Sequence, residues 1–88
     1  MIISEQEYTG FIKPLIDKCI TIGKALTEQE FAIIGDKIIK IVENEFNADN
    51  LLEILTSLSP LSIAICKKYE LYSAIEQTID FLNSKKSS

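Results

Sequence analysis

The apolar residues of this chain recur every three or four positions, in four stretches that short polar segments separate. Ser4 and Glu7 precede the first stretch, and Thr27 and Glu30 precede the second; each pair is a capping box, which marks a helix start. No stretch alternates between apolar and polar residues as a half-buried strand does. The pattern therefore predicts an all-α fold, a compact bundle of four or five short amphipathic helices in a single domain of residues 1–88.

A proline interrupts the first stretch without shifting its apolar stripe. The apolar residues from Tyr8 to Ile22 fall within an arc of about 180° when they are placed on a regular helix. Pro14 removes one backbone hydrogen bond from this helix, and its ring presses on the preceding turn. We therefore expect one helix that is kinked at Pro14, rather than two unrelated helices.

The second stretch leaves one isoleucine outside its stripe. Phe31, Ile34, Ile38 and Ile41 lie near the centre of an arc of about 160°, and we expect these four side chains in the core. Ile33 lies about 160° away from that centre, among polar residues, and is predicted to face away from the core.

Polar capping residues mark the starts of the third and fourth stretches. Asn47 or Asp49 is suited to cap the third stretch, because both side chains accept hydrogen bonds from a first helical turn. Ser59 followed by Pro60 is typical of a helix that begins at the proline.

The fourth stripe continues to Leu82 but has Lys68 in its middle. One interpretation is a break at residues 67–70 that gives two short helices. The other is a single long helix whose lysine extends its charged end to solvent. The polar residues 83–88 are predicted to form a frayed tail.

Composition excludes most catalytic chemistry. The 88 residues include nine lysines, thirteen acidic residues and no arginine or histidine, which gives a net charge of −4. Without histidine there is no imidazole base and no imidazole metal ligand. The three glycines are too far apart to build a phosphate-binding loop, and the two cysteines lack the spacing of a zinc site. We therefore expect a protein that is not an enzyme and that holds no cofactor and no metal.

The two cysteines are expected to be free thiols. Cys19 and Cys66 each lie among isoleucines on a helical stripe, which favours burial in or near the core. A single disulfide between them stays open as an alternative, because a sequence does not show the distance that joins two residues.

Nucleic acids and membranes are not expected as partners. Residues 49–68 could form a helix–turn–helix, but the second helix offers no arginine, asparagine or glutamine to contact base edges. The net negative charge also opposes contact with phosphates. The longest apolar runs have four residues, whereas a membrane span needs about twenty, and the first residues carry acids where a signal peptide carries bases. We therefore expect a cytoplasmic protein.

The apolar stripes are broader than a small bundle requires. A helix in such a bundle needs an apolar arc of about 100–120°, and the first two stripes cover about 160–180°. Ile33, Ile63 and Phe81 lie outside even these arcs. Either the short later helices cover the surplus apolar surface, or these three residues bind another protein or a second copy of the chain as a homo-oligomer.

The sequence favours the second interpretation, a small non-catalytic protein that binds another protein. Small size, acidity and a composition rich in isoleucine and lysine, typical of an AT-rich genome, favour a stoichiometric inhibitor, immunity protein or antitoxin-like factor of bacterial or phage origin. The alternative is a structural or adaptor module that self-associates or belongs to a larger helical assembly.

Overall fold

Both capping boxes that the sequence predicts begin a helix in the structure. A computed structural model of the chain describes residues 1–87. The side-chain oxygens of Ser4 and Thr27 accept hydrogen bonds from the backbone N–H groups of Glu7 and Glu30, and each glutamate accepts one from its cap residue in return. The first turns of two helices are thereby fixed by local contacts alone.

Residues 1–87 form five helices and no strand, which confirms the all-α fold class. In chain order the helices are α1 (residues 5–25), α2 (residues 28–43), α3 (Ala48–Thr56), α4 (Pro60–Lys68) and α5 (Tyr72–Ser87). Asn47 caps α3 by accepting a hydrogen bond from the backbone N–H of Asn50, and Ser59 caps α4 in the same way from Ser62.

The irregularity that the sequence predicts at Pro14 takes the form of a π turn on its N-terminal side. Within α1, the π turn Tyr8–Ile12 lies between the short α-helical turn Glu5–Glu7 and the α-helix Lys13–Ala25. The backbone N–H of Lys13 donates to the carbonyl of Tyr8, five residues earlier. The wider turn relieves the pressure of the proline ring, so the helix continues through Pro14.

A second π turn interrupts α2. Here the α-helical turn Glu28–Glu30 is followed by the π turn Phe31–Gly35 and then by the α-helix Asp36–Glu43. No proline accompanies this turn, and the regular helical spacing used for the sequence gave no sign of it. Its effect is to place one extra residue in the turn and to shift the phase of the side chains that precede it.

The region around Lys68 is a break between two helices. Glu70 has a positive φ of 59°, and the backbone N–H of Leu71 donates to the carbonyl of Cys66 at 2.8 Å. The backbone N–H of Glu70 donates to the carbonyl of Lys67 at 3.2 Å. This pair of bonds is a Schellman motif, which ends α4 and allows α5 to start in a new direction.

The helices pack around one core. The α1 helix contacts α2 and α5, the α3 helix contacts α2 and α5, and α4 contacts α5 and the π turn of α2. The Cα radius of gyration of 12.4 Å is close to the roughly 12 Å expected for a compact chain of this length. Large side chains that are at most 1% exposed come from α1, α2, α3 and α5 and from the turn before α5: Ile12, Leu15, Ile34, Ile41, Leu51, Leu71, Ile75 and Leu82.

One of the four core residues predicted in α2 is misplaced. Ile34, Ile38 and Ile41 are buried as predicted, whereas Phe31 is 47% exposed. The prediction for Phe31 is wrong because Phe31 begins the π turn, where the regular helical angle per residue does not apply.

The polar end of the chain is helical through residue 87, and fraying of this tail stays a prediction. The α5 helix continues through residues 83–87, and Nζ of Lys85 lies 3.0 Å from a carboxylate oxygen of Glu7. This ion pair connects the last turns of α5 to the first turn of α1. Ser88, the last residue of the predicted tail, lies outside the described residues.

Candidate protein-binding groove

An open apolar groove lies between α1 and α2, which form a helical hairpin joined by residues 26 and 27. The groove has a volume of about 270 Å³. Its lining is apolar apart from one charged residue, Glu43, at the C-terminal end of α2. A pocket for a drug-sized ligand usually exceeds about 300 Å³, so this open groove is better matched to side chains from another protein.

Two glycines form the floor of the groove, Gly23 on α1 and Gly35 on α2. A β-carbon on Gly35 would lie 2.7 Å from three ring atoms of Phe31, so the ring occupies the space that any other residue would need. A β-carbon on Gly23 would lie 3.5 Å from Cγ2 of Ile38, an ordinary contact distance. Gly35 is therefore required for the position of Phe31, and Gly23 is not under the same constraint.

Three large apolar side chains form the rims of the groove. Ile20 on α1 is 43% exposed, and Phe31 and Ile39 on α2 are 47% and 45% exposed. Single exposed apolar residues are ordinary on protein surfaces. Three of them around one apolar groove form a contiguous patch, which is typical of an interaction surface.

A buried thiol lies beneath the groove. Cys19 lines the groove but is 0% exposed, and burial raises the pKa of its thiol to about 12. Cys66, on α4, is 1% exposed, and burial raises the pKa of this thiol to about 11. Both cysteines are free, which confirms the prediction of two reduced core thiols.

A buried carboxylate explains the lysine in the fourth apolar stripe. Glu30 is 9% exposed, and one of its oxygens lies 2.6 Å from Nζ of Lys68. The other oxygen accepts hydrogen bonds from the hydroxyl of Tyr69 and the backbone N–H of Thr27. These donors, Lys68 foremost, lower the pKa of Glu30 to about 2. All of these partners belong to the same chain, so the cluster fastens the end of α4 to α2.

The three partner-binding residues that the sequence indicates lie on three different helices. Ile33, on α2, is 43% exposed and does not line the groove. Ile63, on α4, is half-buried against the core. Phe81, on α5, is also half-buried, and its ring stacks on Phe11 with centroids 4.3 Å apart and planes 4° apart. Their role in partner binding stays a prediction, and for Ile33 it is an alternative to binding at the groove.

The sequence pattern places the three rim residues within the apolar stripes and predicts only Phe31 among them as core. Ile20, Phe31 and Ile39 all belong to the apolar stripes of their helices, and only packing shows that they remain outside. The width of those stripes is the signal in the sequence for these exposed residues. A stripe broader than the contact with the core leaves apolar residues at its margin exposed, in addition to those outside the stripe. The buried polar residues Thr78 and Glu30 had no comparable signal in the sequence.

Residues 1–87 contain no group of three His, Cys, Asp or Glu side chains that could hold a metal ion. In the same part of the chain no single helix has the length and apolar character to cross a membrane, although α3 and α4 together, bent by 99°, meet these two criteria.

Comparison with protein families, with curated proteins and with solved structures finds no match to this chain. The choice of the hairpin groove as the candidate site therefore rests on its geometry alone.

Proposed function

We propose that this protein is a small, non-catalytic binding protein whose contact surface is the groove between α1 and α2. The observation that carries this proposal is the set of three half-exposed side chains, Ile20, Phe31 and Ile39, around a floor of two glycines. Burying these side chains against a partner releases water from apolar surface, which is the main driving force of association.

The shape of the groove favours a helical partner. Two adjacent helices with small residues between them present a channel that accepts the apolar face of a third helix, in the manner of helix-in-groove recognition. Gly23 leaves room for a partner side chain to approach the backbone of α1, whereas the ring of Phe31 covers Gly35 on α2.

Within this class we favour an inhibitor, immunity protein or antitoxin-like factor that acts in the cytoplasm. The support is the size of 88 residues and the net charge of −4, which speeds association with a basic partner. The alternative is a structural or adaptor module that self-associates. It is supported by a specific feature of the groove, the opposite net charges along its two outer edges.

Two isoleucines on α2 provide a matched test of the groove. Ile39 and Ile33 are 45% and 43% exposed, and only Ile39 lines the groove. Tagged wild-type, Ile39→Glu and Ile33→Glu proteins would be used to capture partners from an extract of the native host. Loss of a specific partner with Ile39→Glu alone supports the groove. Loss with Ile33→Glu alone moves the contact surface to another face of α2 and contradicts the proposal.

A further inference from the structure

The outer edge of the groove on α1 carries a net positive charge. Lys13, Asp17 and Lys24 are exposed. Lys13 and Asp17 lie seven and three residues before Ile20, and Lys24 lies four residues after it, so all four side chains share one face of α1. Asp17 is already paired with Lys13 at 3.1 Å. Lys24 takes part in none of the ion pairs within residues 1–87 and is available to a partner.

The outer edge on α2 carries a net negative charge, because three acids there outnumber the exposed Lys40. Asp36 and Glu43 lie three residues before and four residues after Ile39 and share its exposed face. Glu28 is exposed in the first turn of α2, at the end of the hairpin that also holds Lys24. None of the three acids belongs to an ion pair within the described part of the chain.

These two edges complement each other when the face is placed against a copy of itself. A two-fold axis parallel to the helices places α1 of one chain over α2 of the other. The loop ends of the two hairpins then lie at the same level, and so do their open ends. Lys24 then lies over the Glu28 end of the second copy, and Lys13 lies over its Glu43 end. Each contact occurs twice, as in any isologous dimer.

The other two-fold arrangement is disfavoured by the same charges. An axis perpendicular to the helices would set α1 over α1 and α2 over α2. The three acids Glu28, Asp36 and Glu43 would then face the same three acids, and like charges that face each other across an interface oppose association. Charge therefore selects the arrangement in which α1 faces α2.

The hairpin face has the size of a weak, transient interface. Thirteen residues of α1 from Lys13 to Ala25 extend over about 20 Å, and two adjacent helices are about 20 Å wide. The face therefore measures about 400 Å² in projection, below the roughly 600 Å² per partner of stable specific interfaces, so a weak dimer is expected. Ile20, Phe31 and Ile39 lie at its centre, where apolar contacts contribute most to affinity.

We infer that the groove binds a second copy of this chain, with α1 of each copy against α2 of the other. This inference rests on the self-associating form of the proposed function, because it names the occupant of the same groove. The two copies together form a four-helix contact in which the rim side chains of one groove pack against the rim side chains of the other.

Sedimentation equilibrium of the full chain tests the inference over concentrations from about 1 µM to about 500 µM. The wild-type mass is expected to rise from the 9.9 kDa of one chain towards twice that value. Ile39→Glu should stay at the mass of one chain, and the matched variant Ile33→Glu should behave as wild type. Gly23→Ala serves as a second variant, because its added methyl group fills the floor at an ordinary contact distance and keeps the fold. It too should weaken the dimer.

A charge exchange tests the orientation of the two copies. Lys24→Glu is expected to raise the dissociation constant about tenfold, because it places a carboxylate over the acidic edge of the second copy. The double variant Lys24→Glu/Glu28→Lys restores opposite charges and should recover most of the wild-type affinity. Failure of this recovery would overturn the α1-to-α2 arrangement.

The outcomes separate this inference from the proposed function. A wild-type chain that stays monomeric throughout, or an Ile39→Glu variant that still dimerises, overturns the second copy as occupant. Capture from the host extract then remains the test of the groove as a binding surface, since the proposed function requires that capture depend on Ile39. If the chain is monomeric and Ile39→Glu captures the same partners as wild type, both the dimer and the groove as a binding surface are overturned.

Discussion

The ring of Phe31 lies against the backbone of Gly35, with Cγ, Cδ2 and Cε2 each 2.7 Å from the position that a β-carbon on Gly35 would occupy. The two residues begin and end the π turn of α2. The turn brings the first residue over the last, and the absence of a side chain at Gly35 makes room for the ring. This contact sets one wall of the groove.

Replacing Gly35 with alanine should therefore lower the free energy of unfolding by about 1 kcal/mol. Overpacking costs about 1–3 kcal/mol, and the better helix propensity of alanine returns about 1 kcal/mol. Gly23→Ala is the matched control and should be neutral or stabilising by up to about 1 kcal/mol. Urea unfolding of both variants measures the difference. Equal stabilisation by the two substitutions would show that the ring of Phe31 does not depend on Gly35.

Acid should destabilise the protein partly through Glu30. The pKa of Glu30 is lowered by Lys68, Tyr69 and Thr27 from its usual 4.5 to about 2. The stabilising contribution is therefore complete above about pH 4.5 and is lost as the pH falls towards about 2. Glu30→Gln should be less stable than wild type at neutral pH and should show a shallower loss of stability in this range.

Glu7 provides the control for this pH dependence. Its pKa is lowered in the same direction by the backbone N–H of Ser4 and by Lys85, so the Glu30→Gln variant keeps part of its acid sensitivity. Urea unfolding at a series of pH values, for wild type, Glu30→Gln and Glu7→Gln, separates the two contributions. An unchanged slope in Glu30→Gln would contradict the role given to the buried cluster.

Neither cysteine should react readily in the folded protein. Burial blocks access to Cys19 and Cys66 and raises the pKa of the two thiols to about 12 and about 11, so the reactive thiolate is scarce at neutral pH. Labelling with a thiol reagent should be slow in buffer and fast in denaturant. Rapid native labelling of Cys19 would show that the groove opens down to its base.

Ile33 and Phe81 should respond differently to the same substitution. Ile33→Glu changes a side chain that is 43% exposed and should alter stability by less than about 0.5 kcal/mol. Phe81→Glu removes the stacking on Phe11 and places a charge beside the core, which should cost about 1–3 kcal/mol. Thermal unfolding followed by circular dichroism compares the two. Equal melting temperatures would show that the stacked pair contributes little.

The sequence predicted much of this fold because its signals are local. The capping boxes at Ser4 and Thr27 and the caps at Asn47 and Ser59 act within one helical turn, so the residues themselves determine the helix starts. The π turns have no such local signal apart from the irregularity that Pro14 predicts, because helical periodicity assumes a constant angle per residue. The sequence does not decide between a break near Lys68 and one long helix, since a glutamate at a positive φ, as at Glu70, has no sequence signature of its own.

The groove was only partly predictable. The excess width of the first two stripes correctly indicated more apolar surface than the core needs. Which residues remain outside depends on how α1 and α2 approach each other, and Gly23 and Gly35 take part in that approach. Ile20 and Ile39 have the same spacing as their buried neighbours, so their exposure follows from packing rather than from the helical pattern.

The π turn of α2 gives this helix an unusual tolerance to a change in chain length, whereas the π turn of α1 is needed to accommodate the ring of Pro14. The turn in α2 holds one residue more than an α-helical turn, so removing a single residue there converts it to regular geometry instead of breaking the helix. Deleting Ala32, which is exposed within this turn, would rotate only the first turn of α2. We expect such a shortened chain to keep its helical circular dichroism spectrum, whereas a deletion in the middle of α3, which has no spare residue, would turn Leu51 or Leu55 out of the core.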